Sequence, residues 1–249
     1  MRSPLLTNDE YYTTLQEVIK YYDKHCVYRV APDYQPTPFL PKGRLLGGSP
    51  GSTNNIYVHM ARRLTQNPAM LKKVSRLILN NICVELEDEN PKRQLVGVES
   101  GSINIMIGVG LEAHECGLDL NTFTVKKKRK GSGLFHYVEG RPNRNPVILV
   151  DDTINTGESL RHAADVAVKE LFLPVTEKAF FLYSHSRVES IGKGTYRNVL
   201  PGGQLLNIDT ISLLCFKDID MPYSSDKYWF PRDCMTGIRG PGISMDNLD

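Results

Sequence analysis

Apolar residues recur at helical spacing in two places in the first third of the chain. Thr7 is followed three residues later by Glu10, a capping-box pattern that marks the start of a helix. Pro68, directly after Asn67, suits the first position of another helix. Each start precedes one apolar stripe, so we predict two amphipathic helices. The stripes are Tyr11, Leu15, Val18, Ile19 and Tyr22, and then Leu71, Val74, Leu77, Ile78 and Ile82.

The middle of the chain alternates between short apolar runs and helical stripes. Continuous apolar runs are typical of strands that are buried on both faces. We therefore predict an α/β fold in which a mostly parallel sheet has helices on both faces. Ligands of such sheets bind at the carboxyl ends of the strands. The predicted strands are Leu95–Val98, Thr122–Val125, Val147–Val150, Lys178–Tyr183 and Ile211–Phe216, and the predicted helices between them are Ile103–Cys116 and Glu158–Phe172.

Two stretches break these patterns. Pro32–Ser52 is rich in proline and glycine, which predicts a long loop or an edge ribbon. From about Pro222 onward the chain is poor in aliphatic residues and contains several prolines and glycines. We predict an irregular tail there, packed on the domain or partly disordered.

Composition and charge narrow the class of protein. The 249 residues are 41% hydrophobic and 23% charged, which excludes disordered, collagen-like and membrane classes. Thirty Lys and Arg against 28 Asp and Glu give a net charge of +2, too small to attract anions over the whole surface. An anionic ligand must therefore be bound by local groups.

The cysteines and the N-terminal residues bear on the compartment. The chain has five cysteines without a C-x-x-C spacing, which favours neither a disulfide framework nor a zinc site and fits a reducing cytoplasm. The residues that follow Arg2 and Pro4 lack the apolar run of a signal peptide, and the chain contains no apolar stretch long enough to span a membrane. We therefore expect a cytoplasmic protein without a membrane partner.

The stretch Val147–Leu160 carries the clearest chemistry. An apolar strand leads into Asp151 and Asp152, whose carboxylates can accept hydrogen bonds from a sugar diol or help to hold hydrated Mg²⁺. The following turn into a helix exposes backbone N–H groups to an anion, and Gly157 allows a phosphate to approach closely. The alternative is an acidic pair that only caps the next helix.

A run of five cations, Lys126–Lys130, stands at the end of a predicted strand and leads into Gly131 and Gly133. By itself such a run is most often a solvated face. A cationic loop next to a pyrophosphate group is the alternative, because cations stabilise the charge that develops on that leaving group. The run is single and has no interleaved aromatic residues, which disfavours nucleic-acid binding.

The order of these pieces resembles the type I phosphoribosyltransferases. Their ribose-phosphate signature is an apolar strand, Asp-Asp and then Thr-Gly-x-Ser, as in Val147–Ser159. The resemblance is greatest to the orotate phosphoribosyltransferases, whose basic catalytic loop is similar to Lys126–Gly133 followed by Glu139 and Gly140. Ser49–Leu64 resembles the segment ahead of that family's second helix, and Val96–Ile103 occupies the place of its pyrophosphate loop.

The chain departs from the family pattern at several positions. Ser132 stands where the catalytic loop usually has His, and Lys128 where it has an acid. Gly101 replaces a Lys that many bacterial members have in the pyrophosphate loop, and Asn155 replaces a Thr that also faces the base. The Arg that holds the orotate carboxylate has Arg187 as its nearest match. The ribose-phosphate half is therefore intact, while the half that reads the base is altered.

The resemblance implies a function and a set of site residues. It implies transfer of ribose 5-phosphate from phosphoribosyl pyrophosphate (PRPP) to a nitrogenous base, with orotate as the first expectation, release of pyrophosphate and Mg²⁺ held mainly through substrate and water. Asp151 and Asp152 are possible metal contacts. The implied catalytic residues are Asp151, Asp152, Lys126 and Lys130; the PRPP-binding residues are Lys127, Asp151, Asp152, Thr153, Asn155, Thr156, Gly157, Glu158 and Ser159; the pyrophosphate-loop residues are Ser100, Gly101 and Ser102; and the base-binding residues are Asn155 and Arg187.

The resemblance also implies an assembly and a division of the chain. We expect a homodimer in which the catalytic loop is shared across the interface. The expected divisions are residues 1–66 as an N-terminal helix and hood segment, 67–220 as the phosphoribosyltransferase core and 221–249 as an irregular tail. Two alternatives stay open: an enzyme of the same class with another base, on which the aromatic run Tyr228–Phe230 could stack, and a non-catalytic regulator that binds PRPP or a nucleotide.

Overall fold

The computed structural model describes residues 2–25, 27–29, 56–58, 67–88, 92–128, 137–154, 157–184, 189–190, 196–200 and 208–215. The predictions for Pro32–Ser52 and for the tail from Pro222 lie outside these residues. The chain divides into two compact units, Met1–Tyr21 with Met60–Asp220 and Tyr22–His59 with Met221–Asp249. In the second unit, strand β1 (Val27–Arg29) pairs antiparallel with strand β2 (Ile56–Val58). The predicted division at residues 66 and 220 stays a prediction.

Both predicted N-terminal helices are present with the expected caps. Helix α1 spans Asn8–His25, and the Thr7 backbone N–H donates to Glu10 at 2.9 Å, while the Glu10 N–H donates to the Thr7 hydroxyl at 3.3 Å. Helix α2 spans Pro68–Glu85 with proline in its first turn, and the Asn67 side chain accepts from the Met70 N–H at 3.0 Å. These bonds satisfy donors that a helix N-terminus otherwise leaves without partners.

In the part of the chain that the structure describes, the larger unit contains one mixed sheet of eight strands. Its order along the sheet is β5, β4, β3, β6, β7, β10, β9, β8. The five strands from β4 to β10 are mutually parallel, whereas β5, β9 and β8 pair antiparallel at the two edges. The strands are β3 (Gln94–Val98), β4 (Asn121–Val125), β5 (Val138–Gly140), β6 (Val147–Ile154), β7 (Val175–Ser184), β8 (Glu189–Ser190), β9 (Tyr196–Leu200) and β10 (Ile208–Cys215).

Helices cover both faces of the parallel strands, as the apolar runs predict. Helix α3 (Gly101–Glu115) contacts β3, β4 and β6, and α2 packs against α3. Helix α4 (Glu158–Asp165) contacts β3 and β6 from the other face. Strand residues alternate accordingly: Val96 and Leu149 lie in the apolar cluster of α4, while neighbouring strand residues such as Ile148 are buried on the opposite side. The predicted α/β fold class is confirmed.

The structure differs from the predicted element bounds in three respects. Strand β6 continues to Ile154, so the acidic pair lies within the strand and not after it. The predicted helix Glu158–Phe172 is α-helical only to Asp165 and then becomes a π-helical turn, Val166–Glu170, closed by a bond from the Leu171 N–H to the Val166 carbonyl at 3.1 Å. The short strands β5, β8 and β9 were not predicted, because charged or polar residues interrupt them and they contain no continuous apolar run.

None of the helices in the described part of the chain is long and apolar enough to cross a membrane.

Gly97 gives a test of how tightly the parallel strands and α3 are packed. A Cβ at this position would collide with the Ser102 side chain and the Val150 carbonyl, so we expect Gly97→Ala to lower the free energy of unfolding by about 2 kcal/mol, as overpacking does. Gly110→Ala is the matched control, since its Cβ would meet only the Thr122 methyl group at 3.3 Å and the Leu120 carbonyl at 3.9 Å and would favour the helix. Urea denaturation measures both variants. Equal stability of the two would contradict this packing.

Candidate active site

Two adjacent carboxylates lie at the carboxyl end of strand β6. The four preceding residues, Val147–Val150, are all buried, whereas Asp151 and Asp152 are half-buried. The Asp152 backbone N–H donates to Asp151 Oδ1 at 2.8 Å. The apolar strand therefore holds both acids at the sheet edge, close to one another and partly removed from water.

This arrangement changes the acidity of Asp151. Burial raises the pKa of the Asp151 carboxyl well above its usual range, and the charge of Asp152 raises this pKa further. The ammonium of Lys127 acts in the opposite direction and lowers the pKa of Asp151. The protonated form of Asp151 is thus favoured unless a cation or a hydrogen-bond donor compensates the charge of its carboxylate.

The turn from β3 into α3 lies against the acidic pair. A Cβ at Gly101 would lie 2.5 Å from Oδ1 and 2.9 Å from Oδ2 of Asp152, so only the absence of a side chain leaves room for this carboxylate. The peptide bond between Glu99 and Ser100 is cis. Ser100 is exposed at the start of α3, whereas Ser102 is buried and donates to the Val98 carbonyl at 2.8 Å.

The N-terminus of α4 forms the other side of the site. Gly157 caps the helix with φ of 73°, a left-handed conformation that glycine adopts without strain, and it offers no side-chain cap to the first-turn N–H groups. Glu158 and Ser159 follow and are exposed. Ser159 lines the same small cavity as Asp151 and Gly97, which brings the helix start next to the acidic pair.

The start of the basic segment follows β4. Lys126 is buried, and its ammonium forms an ion pair with Glu139 on β5. Lys127 is exposed, and its backbone N–H donates to Glu99 Oε1 at 3.3 Å. The charge of Lys127 lowers the pKa of Asp151, whereas the ammonium of Lys126 is paired with the neighbouring strand.

Sheet topology brings these groups together. Strands β4, β3 and β6 are adjacent and parallel, with Val98 opposite Val125 and Val96 opposite Leu149. Their carboxyl ends lie on one edge and carry the basic segment, the Glu99–Ser102 turn and the acidic pair in that order. Four of the predicted site residues, Lys130, Asn155, Thr156 and Arg187, lie outside the described residues.

Three residues that take part in these contacts were not predicted as site residues: Glu99, Glu139 and His162. Of these three, Glu99 has a local signal, since it follows a buried apolar run as Asp151 does. Glu139 reaches Lys126 only because β5 pairs with β4, and His162 contacts the Lys126 carbonyl only because α4 packs over the sheet. No periodicity along the chain reports such pairings.

The acidic pair has the oxygen ligands that Mg²⁺ prefers, and its like charges would be relieved by a cation. Within the described ranges, no group of three or more His, Cys, Asp or Glu side chains could hold a metal ion. The two carboxylates fit contacts to a hydrated cation.

Comparisons with known proteins identify the fold. No protein-family model and no curated protein matches the sequence. Among solved structures, the chain is similar to Mycobacterium tuberculosis orotate phosphoribosyltransferase in complex with Fe(III) dicitrate (TM-score 0.55, 18% identity, 84% of this chain and 99% of that one). The chain has the type I phosphoribosyltransferase fold.

Two further structures share this phosphoribosyltransferase fold. A phosphoribosyltransferase from Corynebacterium diphtheriae has a TM-score of 0.55 and 17% identity over 84% of this chain and 99% of that one. The adenine phosphoribosyltransferase from Trypanosoma brucei, in complex with AMP, pyrophosphate and ribose-5-phosphate, has a TM-score of 0.51 and 13% identity over 98% and 93%. The resemblance predicted from the sequence is thus confirmed for the fold.

The raised pKa of Asp151 predicts a pH-dependent stability. Its protonated form is favoured in the folded protein, so stability present at low pH is lost as the pH rises through the raised pKa. We expect Asp151→Asn to increase the free energy of unfolding by about 1 kcal/mol near pH 8 and by much less near pH 4. Asp119→Asn, at an exposed position on another loop, is the control and should give no such gain. A loss of stability in Asp151→Asn at the higher pH would contradict the proposed repulsion.

Proposed function

We propose that this protein transfers ribose 5-phosphate from PRPP to a nitrogen of a heterocyclic base and releases pyrophosphate. The observation that carries the proposal is the convergence of three differently charged groups at one sheet edge. The acidic pair, the glycine-capped helix start and the basic segment lie at the ends of neighbouring elements. A ribose flanked by a phosphate and a pyrophosphate has hydroxyls and two anionic ends, which match these groups in kind.

The acidic pair and the helix start bind different parts of PRPP. Asp151 and Asp152 accept hydrogen bonds from the ribose hydroxyls, and their charge favours the positive character that develops at the anomeric carbon. The backbone N–H groups at Gly157–Ser159 bind the 5′-phosphate with hydroxyls of the same turn, because a helix N-terminus favours anions. Thr153 and the neighbouring Asn155 and Thr156 belong to this proposed phosphate turn.

The pyrophosphate side depends on the turn after β3 and on cations. Ser100–Ser102 form the proposed pyrophosphate loop, with Lys127 beside it through its bond to Glu99. Lys126 and Lys130 stay proposed catalytic residues, and the ion pair of Lys126 with Glu139 must break or be shared if its ammonium is to reach the leaving group. When bound, Mg²⁺ supplies charge neutralisation of the pyrophosphate oxygens, with Asp151 and Asp152 as its protein contacts.

The acceptor base is the open part of the proposal. Orotate is our first choice because of the resemblance around the basic segment, and Asn155 and Arg187 are the proposed base contacts. Adenine is the second, since the similar Trypanosoma brucei enzyme acts on that base. We further propose a homodimer with a shared basic segment, and a reducing cytoplasm as its compartment, supported by the absence of a C-x-x-C spacing among the five cysteines.

The first functional test removes the acidic charges. We expect Asp151→Asn with Asp152→Asn to reduce pyrophosphate release from PRPP by at least about a hundredfold, because the carboxylates stabilise the reacting ribose. The assay contains Mg²⁺ and offers orotate, adenine and other bases in turn. The control is Asp119→Asn with Asp165→Asn, which removes two exposed carboxylates elsewhere and should keep full activity.

Three outcomes separate the alternatives. Full activity in the acidic-pair variant would contradict the mechanism. Activity of the wild type with adenine but not orotate would change only the base. Binding of PRPP without turnover of any base would favour the non-catalytic regulator. The presence of Ser132 in place of the loop His also favours this alternative.

A second test addresses Lys127. We expect Lys127→Gln to raise the KM for PRPP about tenfold, because its charge faces Asp151 and the proposed pyrophosphate loop, while the KM for the base changes little. Lys169→Gln is the matched control: it removes one exposed ammonium, paired with Asp165, from the π-helical turn. Steady-state kinetics with each substrate varied measures both. An unchanged KM for PRPP in Lys127→Gln would remove this lysine from the proposed site.

A further inference from the structure

His162 makes an uncommon contact between helix α4 and the start of the basic segment. Its Nε2 lies 2.8 Å from the backbone carbonyl oxygen of Lys126. A carbonyl oxygen can only accept, so Nε2 carries the hydrogen and donates it. This donor is present both in the neutral Nε2–H tautomer and in the imidazolium ion, so the contact does not depend on protonation.

The same imidazole also contacts Tyr137, the first described residue after the basic run. The ring of Tyr137 meets the ring of His162 edge-on, with centroids 5.3 Å apart and an interplanar angle of 78°. Lys126 and Tyr137 are joined directly, since the Lys126 N–H donates to the Tyr137 carbonyl at 2.6 Å. His162 therefore contacts both residues of this backbone hydrogen bond, Lys126 and Tyr137.

These contacts continue toward the acidic pair. Lys127 follows Lys126 and donates its N–H to Glu99, and the Glu99 N–H donates to the Val125 carbonyl at 3.0 Å. Glu99 begins the turn in which Gly101 lies against Asp152. A displacement of the Lys126 carbonyl would therefore move Lys127 relative to the acids.

The second end of this arrangement is the phosphate turn. His162 lies in the helix that begins at Glu158 behind the cap residue Gly157, within little more than one turn of the proposed 5′-phosphate site. One side chain thus connects the element proposed to hold the 5′-phosphate with the segment proposed to hold the pyrophosphate.

We propose that His162 is a positioning residue that holds the backbone at Lys126 and Lys127 at the distance from the helix start Gly157–Ser159 that PRPP requires. The inference rests on the proposed function and assigns His162 no contact with substrate. His162 acts through the Lys126 carbonyl. Replacing His162 should therefore raise the KM for PRPP and leave the KM for the base unchanged.

The test compares two variants of His162 in the full chain. His162→Phe keeps a flat ring against Tyr137 but has no donor, whereas His162→Gln has an amide N–H near the place of Nε2 and should rescue. Hydrogen exchange without ligand measures the exchange rates of the Lys126 and Lys127 backbone amides. We expect exchange of these amides to be about tenfold faster in His162→Phe, with the KM for PRPP raised about fivefold to tenfold and the KM for the base unchanged.

Each outcome decides the inference. Faster exchange and a raised KM for PRPP in His162→Phe, both restored in His162→Gln, support it. Unchanged exchange overturns it, and so does faster exchange with an unchanged KM for PRPP or equal behaviour of the two variants. If the wild type binds no PRPP in calorimetry, the proposed function fails, and the exchange data alone then decide whether His162 holds the segment.

Discussion

The repulsion between two adjacent carboxylates at the end of a buried strand is the constraint on which the site depends. Val147–Val150 hold Asp151 and Asp152 at the sheet edge, where burial and their mutual charge both disfavour full ionisation. The neighbouring elements accommodate this pair: Gly101 leaves space for one carboxylate, and Lys127 supplies an opposing charge. The repulsion between the two carboxylates lowers the stability of the folded protein at this point, as is common at functional sites. A ligand that donates hydrogen bonds or brings a cation would reduce this repulsion.

The net charge of +2 is too small to attract anions over the whole surface, and the proposed function uses two kinds of local site instead. The helix start at Gly157 offers backbone N–H groups without a formal charge, whereas the basic segment offers ammonium groups. Lys126 shows that a cation in the sequence need not be available to a ligand, because it is buried and paired with Glu139. The proposed role of His162 joins these two sites through one hydrogen bond to the Lys126 carbonyl.

Local sequence signals predicted the elements well and their contacts poorly. The capping pairs at Thr7 and Asn67 and the apolar runs of the parallel strands act within a few residues, so their pattern is visible along the chain. The acidic pair could be assigned to the edge of the sheet for the same reason. The extension of β6 through Asp151, the π-helical turn and the pairing of β5 with β4 depend on tertiary packing. Glu99, Glu139 and His162 join the site only through that packing, so periodicity could not reveal them.

The proposed binding of PRPP at this sheet edge depends on the acidic pair, in which burial and the charge of Asp152 raise the pKa of Asp151. Calorimetric titration of the wild-type protein with PRPP and Mg²⁺, in buffers that differ in their heat of ionisation, measures binding and proton exchange together. Below the raised pKa of Asp151 we predict saturable binding with release of a proton, because the ligand compensates the second carboxylate charge. Binding without proton release would contradict the role of the pair, and the absence of binding would contradict the account as a whole.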